Sequence, residues 1–343
     1  MTRAVITLAV ARGVVRGVIF SAILAMSLAP GLALAAASDA FAYVEGVASL
    51  DGVTVVDARA RGACIERSVR GAHCLPAADF LGPHGRLASF RQIFWLLGTA
   101  GLSGQEHVLV VGDDPTERDF VAGMLYLCGQ ARVSVLTAPL TRGAGLPASQ
   151  LGPGTPRAMT RNPVFQSAAR DDDVVLRADL VQELDAGDAP PLLDGRTGAE
   201  YWGERIRAWR GGHLPGAQSL PMDSARRELD AHRLELPKDR TFVAYGHDAF
   251  ESVAYFTLLR AGSGIPARVL LDGYADWANH PDLPLASQTY PDSPPRQVAA
   301  PTPASASAAA PEFARWLPPL TMFNSVALLV LAGGVIYACR PRT

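Results

Sequence analysis

One pattern, written twice, constrains this chain more than any other feature. Residues 52–59 read Gly-Val-Thr-Val-Val-Asp-Ala-Arg, and Gly71-Ala72 and Leu75-Pro76 follow. Residues 190–196 read Pro-Pro-Leu-Leu-Asp-Gly-Arg, and Gly216-Ala217 and Leu220-Pro221 follow. Each copy continues with a second apolar run, His107–Gly112 and Thr241–Gly246. A helical stretch then ends near Cys128-Gly129 or Ala261-Gly262, and a third run closes the unit at Ala131–Leu136 or Ala267–Leu271. Short β-branched runs alternating with helical segments indicate parallel-sheet α/β units. Duplication at this spacing predicts two such units, at 38–140 and 173–290. Residues 141–172 between them are rich in Gly and Pro, lack apolar periodicity, and read as a linker.

The two ends carry a different signal. Mean hydropathy is +0.14, and the apolar surplus lies outside the repeated body. Arg3, Arg12 and Arg16 precede the apolar run Val18–Ala29, and Pro30 and the Ala33–Ser38 stretch follow. This three-part order predicts a secretory signal peptide over 1–37, cut after Ala35 or Ala37, with an uncleaved anchor helix as the alternative. Leu320–Cys339 has no charge and is long enough, at 1.5 Å per residue, to span a ~30 Å hydrocarbon core. Trp316 and Tyr337 stand at its two ends, and Arg340 and Arg342 follow, which predicts a cytoplasmic C-terminus. The Pro/Ala-rich segment 291–315 reads as a tether. The expectation is therefore a body held outside the cytoplasm, in the periplasm or its equivalent, with the membrane as partner through the helix at 320–339.

The second copy resembles a rhodanese domain. The resemblance is carried by Leu193-Asp194-Gly195-Arg196, by Gly212-His213-Leu214-Pro215-Gly216-Ala217, and by Leu271-Asp272-Gly273-Tyr274 leading to Trp277. The first copy keeps Asp57-Ala58-Arg59 and Gly71-Ala72, but Ser68-Val69-Arg70 replaces the His and Pro of the turn. The resemblance implies an α/β fold of two rhodanese-like doubly wound parallel-sheet domains in tandem, to which the sequence adds one C-terminal transmembrane helix. It also implies thiosulfate sulfurtransferase chemistry. There, a cysteine after the second core strand opens a loop at a helix N-terminus and carries sulfur as a persulfide.

That cysteine is missing. In the second copy Gly246 stands at the nucleophile position, followed by His247, Asp248, Ala249 and Glu251, and both carboxylates would repel thiosulfate. In the first copy the position falls on Asp113, or on Gly112 with a one-residue slip, ahead of Pro115 and Arg118. His247 beside Asp248 is a candidate acid or base, with a cap or surface role as the alternative. Asp57, Arg59, Asp194 and Arg196 read as braces at strand ends, and Trp202, Trp209 and Trp277 as core or domain-interface aromatics.

The chain has four cysteines. Cys339 lies in the apolar C-terminal run, and Cys128 reads as a buried thiol. Cys64 and Cys74 are candidates for a disulfide in an oxidising compartment. No catalytic residue, metal site or cofactor is expected. With 31 basic and 33 acidic residues there is no basic field for nucleic acid. The expected function is a membrane-anchored, catalytically inactive binding or scaffold module. Its expected partner is a periplasmic protein or a small anion. The alternative is a sulfurtransferase that uses Cys64, Cys74 or a partner's thiol.

Overall fold

The computed structural model describes residues 40–46, 49–142 and 145–291. The signal-peptide run, the tether and the apolar run 320–339 lie outside these residues. Among the described residues no helix is long and apolar enough to cross a membrane.

The first copy builds β1 (Phe41–Val44), β2 (Val53–Asp57), α1 (Arg61–Glu66), β3 (Ser68–Val69), β4 (His73–Cys74), α2 (Phe90–Thr99), β5 (His107–Val111), α3 (Pro115–Leu127) and β6 (Arg132–Leu136). The strands β1-β6-β5-β2-β4 form one sheet in that order, every pair parallel. Four of the five residues of β5 are buried, as befits a central strand covered on both faces.

The second copy begins with β8 (Val174–Val175), α4 (Arg177–Asp185), β9 (Leu192–Asp194), α5 (Gly198–Tyr201), β10 (Gly211–His213), β11 (Gln218–Ser219) and α6 (Met222–Asp230). It continues with β12 (Phe242–Tyr245), α7 (Ala249–Thr257), β13 (Ala267–Leu270), α8 (Gly273–Ala278) and β14 (Ala286–Thr289). Its sheet, β8-β13-β12-β9-β11, repeats the strand order of the first and is also parallel throughout. β14 pairs antiparallel with β10 outside that sheet.

Residues 145–172 are more than a spacer. β7 (Leu151–Gly152) pairs antiparallel with β3. Thr155 N–H donates to Ala72 O at 2.7 Å, and Cys74 N–H donates to Thr155 O at 2.9 Å. Phe165 is buried against Phe94, with ring centroids 5.4 Å apart. These contacts are mostly backbone hydrogen bonds, which leave no apolar period to be read in a sequence.

A single core runs through both copies, because α3 and α7 pack against each other. Phe120 meets Phe250 at 4.9 Å between centroids, and Phe41 and Tyr126 meet Phe256 at 6.4 and 6.1 Å. The helices approach closely at Gly123. A Cβ there would strike Thr257 Oγ1 and lie 2.6 Å from Val253 Cγ1 and 3.1 Å from Val253 O. Beside this contact the Asp119 carboxylate, fully buried, accepts from Tyr43 Oη at 2.6 Å and from Arg226 Nη2 at 2.8 Å. Burial and the Asp119 charge push the Tyr43 phenol well above its ordinary pKa.

Gly123→Val places a branched side chain where the helices touch. The expected cost is about 1–3 kcal/mol of overpacking, read as a lower denaturation midpoint. An unchanged midpoint would remove this contact as a determinant of how the copies pack.

Candidate functional site

The site is built from strand ends. At the end of β9, Asp194 is fully buried and accepts from Arg196 N at 2.9 Å and Arg196 Nε at 3.0 Å. The Arg196 guanidinium also donates to Gly212 O at 2.8 Å and lies over the Tyr274 ring at 3.5 Å. This clamp holds β9, β10 and α8 together. The first copy repeats it. Asp57 accepts from Arg59 N at 2.9 Å, Arg59 Nη2 at 2.7 Å and Ser68 Oγ at 2.6 Å, while Arg59 Nη2 donates to Arg67 O at 2.6 Å. A buried pair of this kind is costly unless it is hydrogen-bonded, and these partners supply such bonds.

Beside the second clamp lies the loop between β12 and α7. Asp248 caps α7, its Oδ1 accepting from Glu251 N at 3.0 Å. Gly246 N donates to Ser252 Oγ at 2.9 Å, and His247 N donates to Glu251 Oε2 at 3.0 Å. Glu251 is gripped from the other side by Arg207, whose Nη1 and Nη2 donate to its two oxygens at 2.7 and 3.0 Å. Arg207 also contacts Glu200. The amides of Gly246, His247 and Glu251 are therefore occupied by the loop's own groups, and the Glu251 carboxylate lies beside the helix N-terminus, where the field favours negative charge.

Gly246 itself has no room for a side chain. A Cβ there would lie 2.5 Å from Glu251 Cβ, 2.6 Å from Glu251 C and 2.8 Å from Ser252 N. His247 is half-buried, with Nδ1 lacking a hydrogen-bond partner. Burial and the neighbouring Arg207 charge push its imidazole below the ordinary pKa, so it is neutral near pH 7. Ala249 is buried in the first turn of α7.

The pairing register settles the first-copy alignment. Val111 pairs with Asp57 as Tyr245 pairs with Asp194, so Gly112 is the counterpart of Gly246, and Asp113 is one residue too late. Asp113 accepts from Thr141 N at 2.8 Å, Thr141 Oγ1 at 2.9 Å and Arg59 Nη1 at 3.3 Å. Arg118 lies in the first turns of α3, where it is buried. It donates to Thr137 O at 3.0 Å instead of lining an open loop.

The two loops meet across a cleft of about 490 Å³. Asp114 and Glu117 of the first copy line it, opposite Glu200, Asp223, Phe250 and Glu251 of the second. Burial and Asp114 raise the Glu117 carboxyl above its ordinary pKa. Of the guanidiniums there, Arg196 is paired with Asp194 and Arg207 with two glutamates, which leaves Arg205. The cleft has more carboxylates than free cations. Arg207 was not legible as a site residue, because its partner Glu251 is 44 residues away.

Trp277 is buried, as expected of a core aromatic, whereas Trp202 and Trp209 are 58% and 67% exposed and are not interface residues within the described body. They ride on the loop between α5 and β10, outside the sheet that buries Trp277. Cys64 and Cys74 form a disulfide with Cα atoms 5.8 Å apart, both buried. Gly154 covers it so closely that a Cβ there would lie 2.5 Å from Cys64 Sγ. Cys128 is buried, and desolvation pushes its thiol far above the ordinary range.

Residues 176–280 match the rhodanese-like domain family. A thiosulfate sulfurtransferase of Azotobacter vinelandii is 30% identical over 126 residues, 34% of this chain and 46% of that protein. A protein of Synechococcus elongatus named for the same activity is 30% identical over 169 residues, 46% of this chain and 50% of that one. The chain thus spans about half the length of the curated relatives it matches. Among solved structures, YnjE superposes with a TM-score of 0.55 at 18% identity, over 68% of this chain and 62% of that one. A variant of EanB in complex with ergothioneine gives 0.54 at 17%, over 68% and 64%. At these identities the structural likeness is one of fold.

The closed loop makes a comparison of two glycines informative. Gly246→Cys is expected to lower stability by about 1–3 kcal/mol by chemical denaturation, since backbone must shift to admit the side chain. Gly112→Ala, whose nearest neighbour would be Arg118 Cβ at 3.3 Å, is expected to cost clearly less. Equal losses would show that Gly246 is not sterically closed. The fold and the sequence likeness lead to one conclusion: residues 176–280 of this α/β body form a parallel-sheet rhodanese-like domain with weak homology to thiosulfate sulfurtransferases.

Proposed function

We propose that this chain is a membrane-tethered, extracytoplasmic binding or scaffold module, a tandem of two rhodanese-like units without a persulfide carrier of its own. The observation that carries this reading is the closure of the β12–α7 loop. Gly246 replaces the nucleophile, its side-chain space is filled by Glu251 and Ser252, and Glu251 occupies the amide of His247 and the fork of Arg207. An anionic sulfur donor entering here would have to displace that carboxylate. The buried disulfide and the buried, strongly basic thiolate of Cys128 supply no substitute nucleophile. In this reading the cleft between the two loops receives a segment of a periplasmic partner, and a small anion is the competing occupant.

The second reading is a sulfurtransferase acting through a non-standard or partner thiol. The 30% identity to two proteins named for thiosulfate sulfurtransferase activity favours it over the inactive reading. The chain's own candidates for that thiol are Cys64 and Cys74, once reduced.

Thiosulfate and cyanide, supplied to the full-length chain in detergent with and without reductant, separate the two. The binding-module reading expects no thiocyanate above a protein-free control and no sulfur adduct by intact mass. Thiocyanate that disappears in Cys64→Ser or Cys74→Ser, or that requires an added thiol protein, establishes the second reading and overturns the first.

A further inference from the structure

Three exposed aromatic residues lie next to the backbone contacts of the last strand, where the folded body ends. Thr289, in β14, is the hub. Its Oγ1 donates to Gly203 O at 2.7 Å, and its backbone pairs with Gly211 in β10. Trp202 is the neighbour of Gly203, Trp209 lies two residues before Gly211, and Tyr290 follows Thr289 directly. Their exposures are 58%, 67% and 65%. Trp202 is held edge-on by Tyr201 and His213, at 4.9 and 5.9 Å between centroids, so its ring stands as a fixed ledge.

We infer that Trp202, Trp209 and Tyr290 form a docking face for the lipid–water interface, laid against the membrane by the chain's own C-terminal segment. The inference goes beyond the proposed function but rests on its reading of residues 320–339 as a membrane span. The body ends at Pro291, and the uncharged run starts at Leu320. Residues 292–319 separate the two in sequence, a contour long enough to let the patch meet the bilayer. Trp and Tyr are the side chains favoured at headgroup depth, where an apolar ring and a polar tip are both accommodated.

The charge pattern sets the mode of binding. Arg205, which lines the cleft, follows Glu204 of opposite charge in sequence, Arg207 is held by Glu200 and Glu251, and Arg210 is buried, donating to Ala278 O and His280 O. No net basic patch is left to select anionic lipid, so adsorption follows from aromatic partition and needs no attraction to headgroup charge.

The test uses the full chain in phosphatidylcholine vesicles, in a Trp95→Phe, Trp316→Phe background. This leaves Trp202 and Trp209 beside the buried Trp277. Lipids spin-labelled near the headgroup are expected to quench at least half of the Trp202 and Trp209 emission, equally at low and high salt and without anionic lipid. Trp202→Ser and Trp209→Ser should each remove part of the quenchable emission with the thermal midpoint retained. Because both rings are exposed, a fold defect is separable by that midpoint; Tyr290→Ser, tested by weaker quenching of the remaining tryptophans, gives an independent check. Emission indifferent to the spin labels, in a chain that resists alkaline carbonate extraction, overturns the inference while leaving the anchor intact. Quenching that appears only with anionic lipid, or only when a partner protein is added, also overturns it. Release of the chain by carbonate overturns the anchor reading and the inference with it.

Discussion

Everything at the loop end of each sheet hangs on one interaction, a buried aspartate closed by the arginine two residues later. Asp57–Arg59 and Asp194–Arg196 sit at the ends of β2 and β9, the strands flanked by the active-loop strand and the short edge strand. Buried carboxylates and guanidiniums are costly unless fully partnered, so the surrounding chain is obliged to supply partners. In the second copy those partners are Gly212 O and the Tyr274 ring, which fixes β10 and α8 against the sheet. In the first copy they are Ser68, Arg67 O and Asp113. In the second copy the clamp is completed without any side chain of the loop at the next strand, whereas in the first it draws on Asp113 of that loop.

The β12–α7 loop is closed by its own side chains. A loop that ends at a helix N-terminus presents unpaired N–H groups and a favourable field for negative charge. Here that field is answered from within, by Asp248 as cap and by Glu251 folded back on His247 N and locked by Arg207. Fold likeness alone does not assign an activity to such a loop. The first copy treats its loop similarly, with Asp113 tied to Arg59 and Thr141.

Much of this was legible in the sequence. The repeated apolar runs, the Asp-x-Arg strand ends and the glycine turns locate both sheets, because burial on two faces and positive-φ turns restrict residue choice strongly. The absence of side-chain space at Gly246 left no such mark, since it is set by Glu251 and Ser252 in the following helix. The choice between Gly112 and Asp113 was not legible either, since it depends on the register of β5 against β2, and one-residue shifts leave a fully apolar strand looking the same. The packing of residues 145–172 escaped notice because it rests on backbone hydrogen bonds to Ala72 and Cys74. Arg207 and the exposed Trp202 and Trp209 escaped for a further reason: their positions are set by contacts far along the chain, through Glu251 and Thr289.

The Asp119 carboxylate between the copies has a consequence for self-association. Counted from the equivalent glycines 112 and 246, the second-copy counterparts of Asp119 and Gly123 are Val253 and Thr257, so the two helix faces at the contact differ in polarity and in shape. Pairing α7 with α7 of another molecule would leave Arg226 facing Val253 with no carboxylate to receive it. The contact therefore has a direction: it accepts unlike with unlike and penalises like with like. The unlike pairing at the centre of the body rests on a single buried acid.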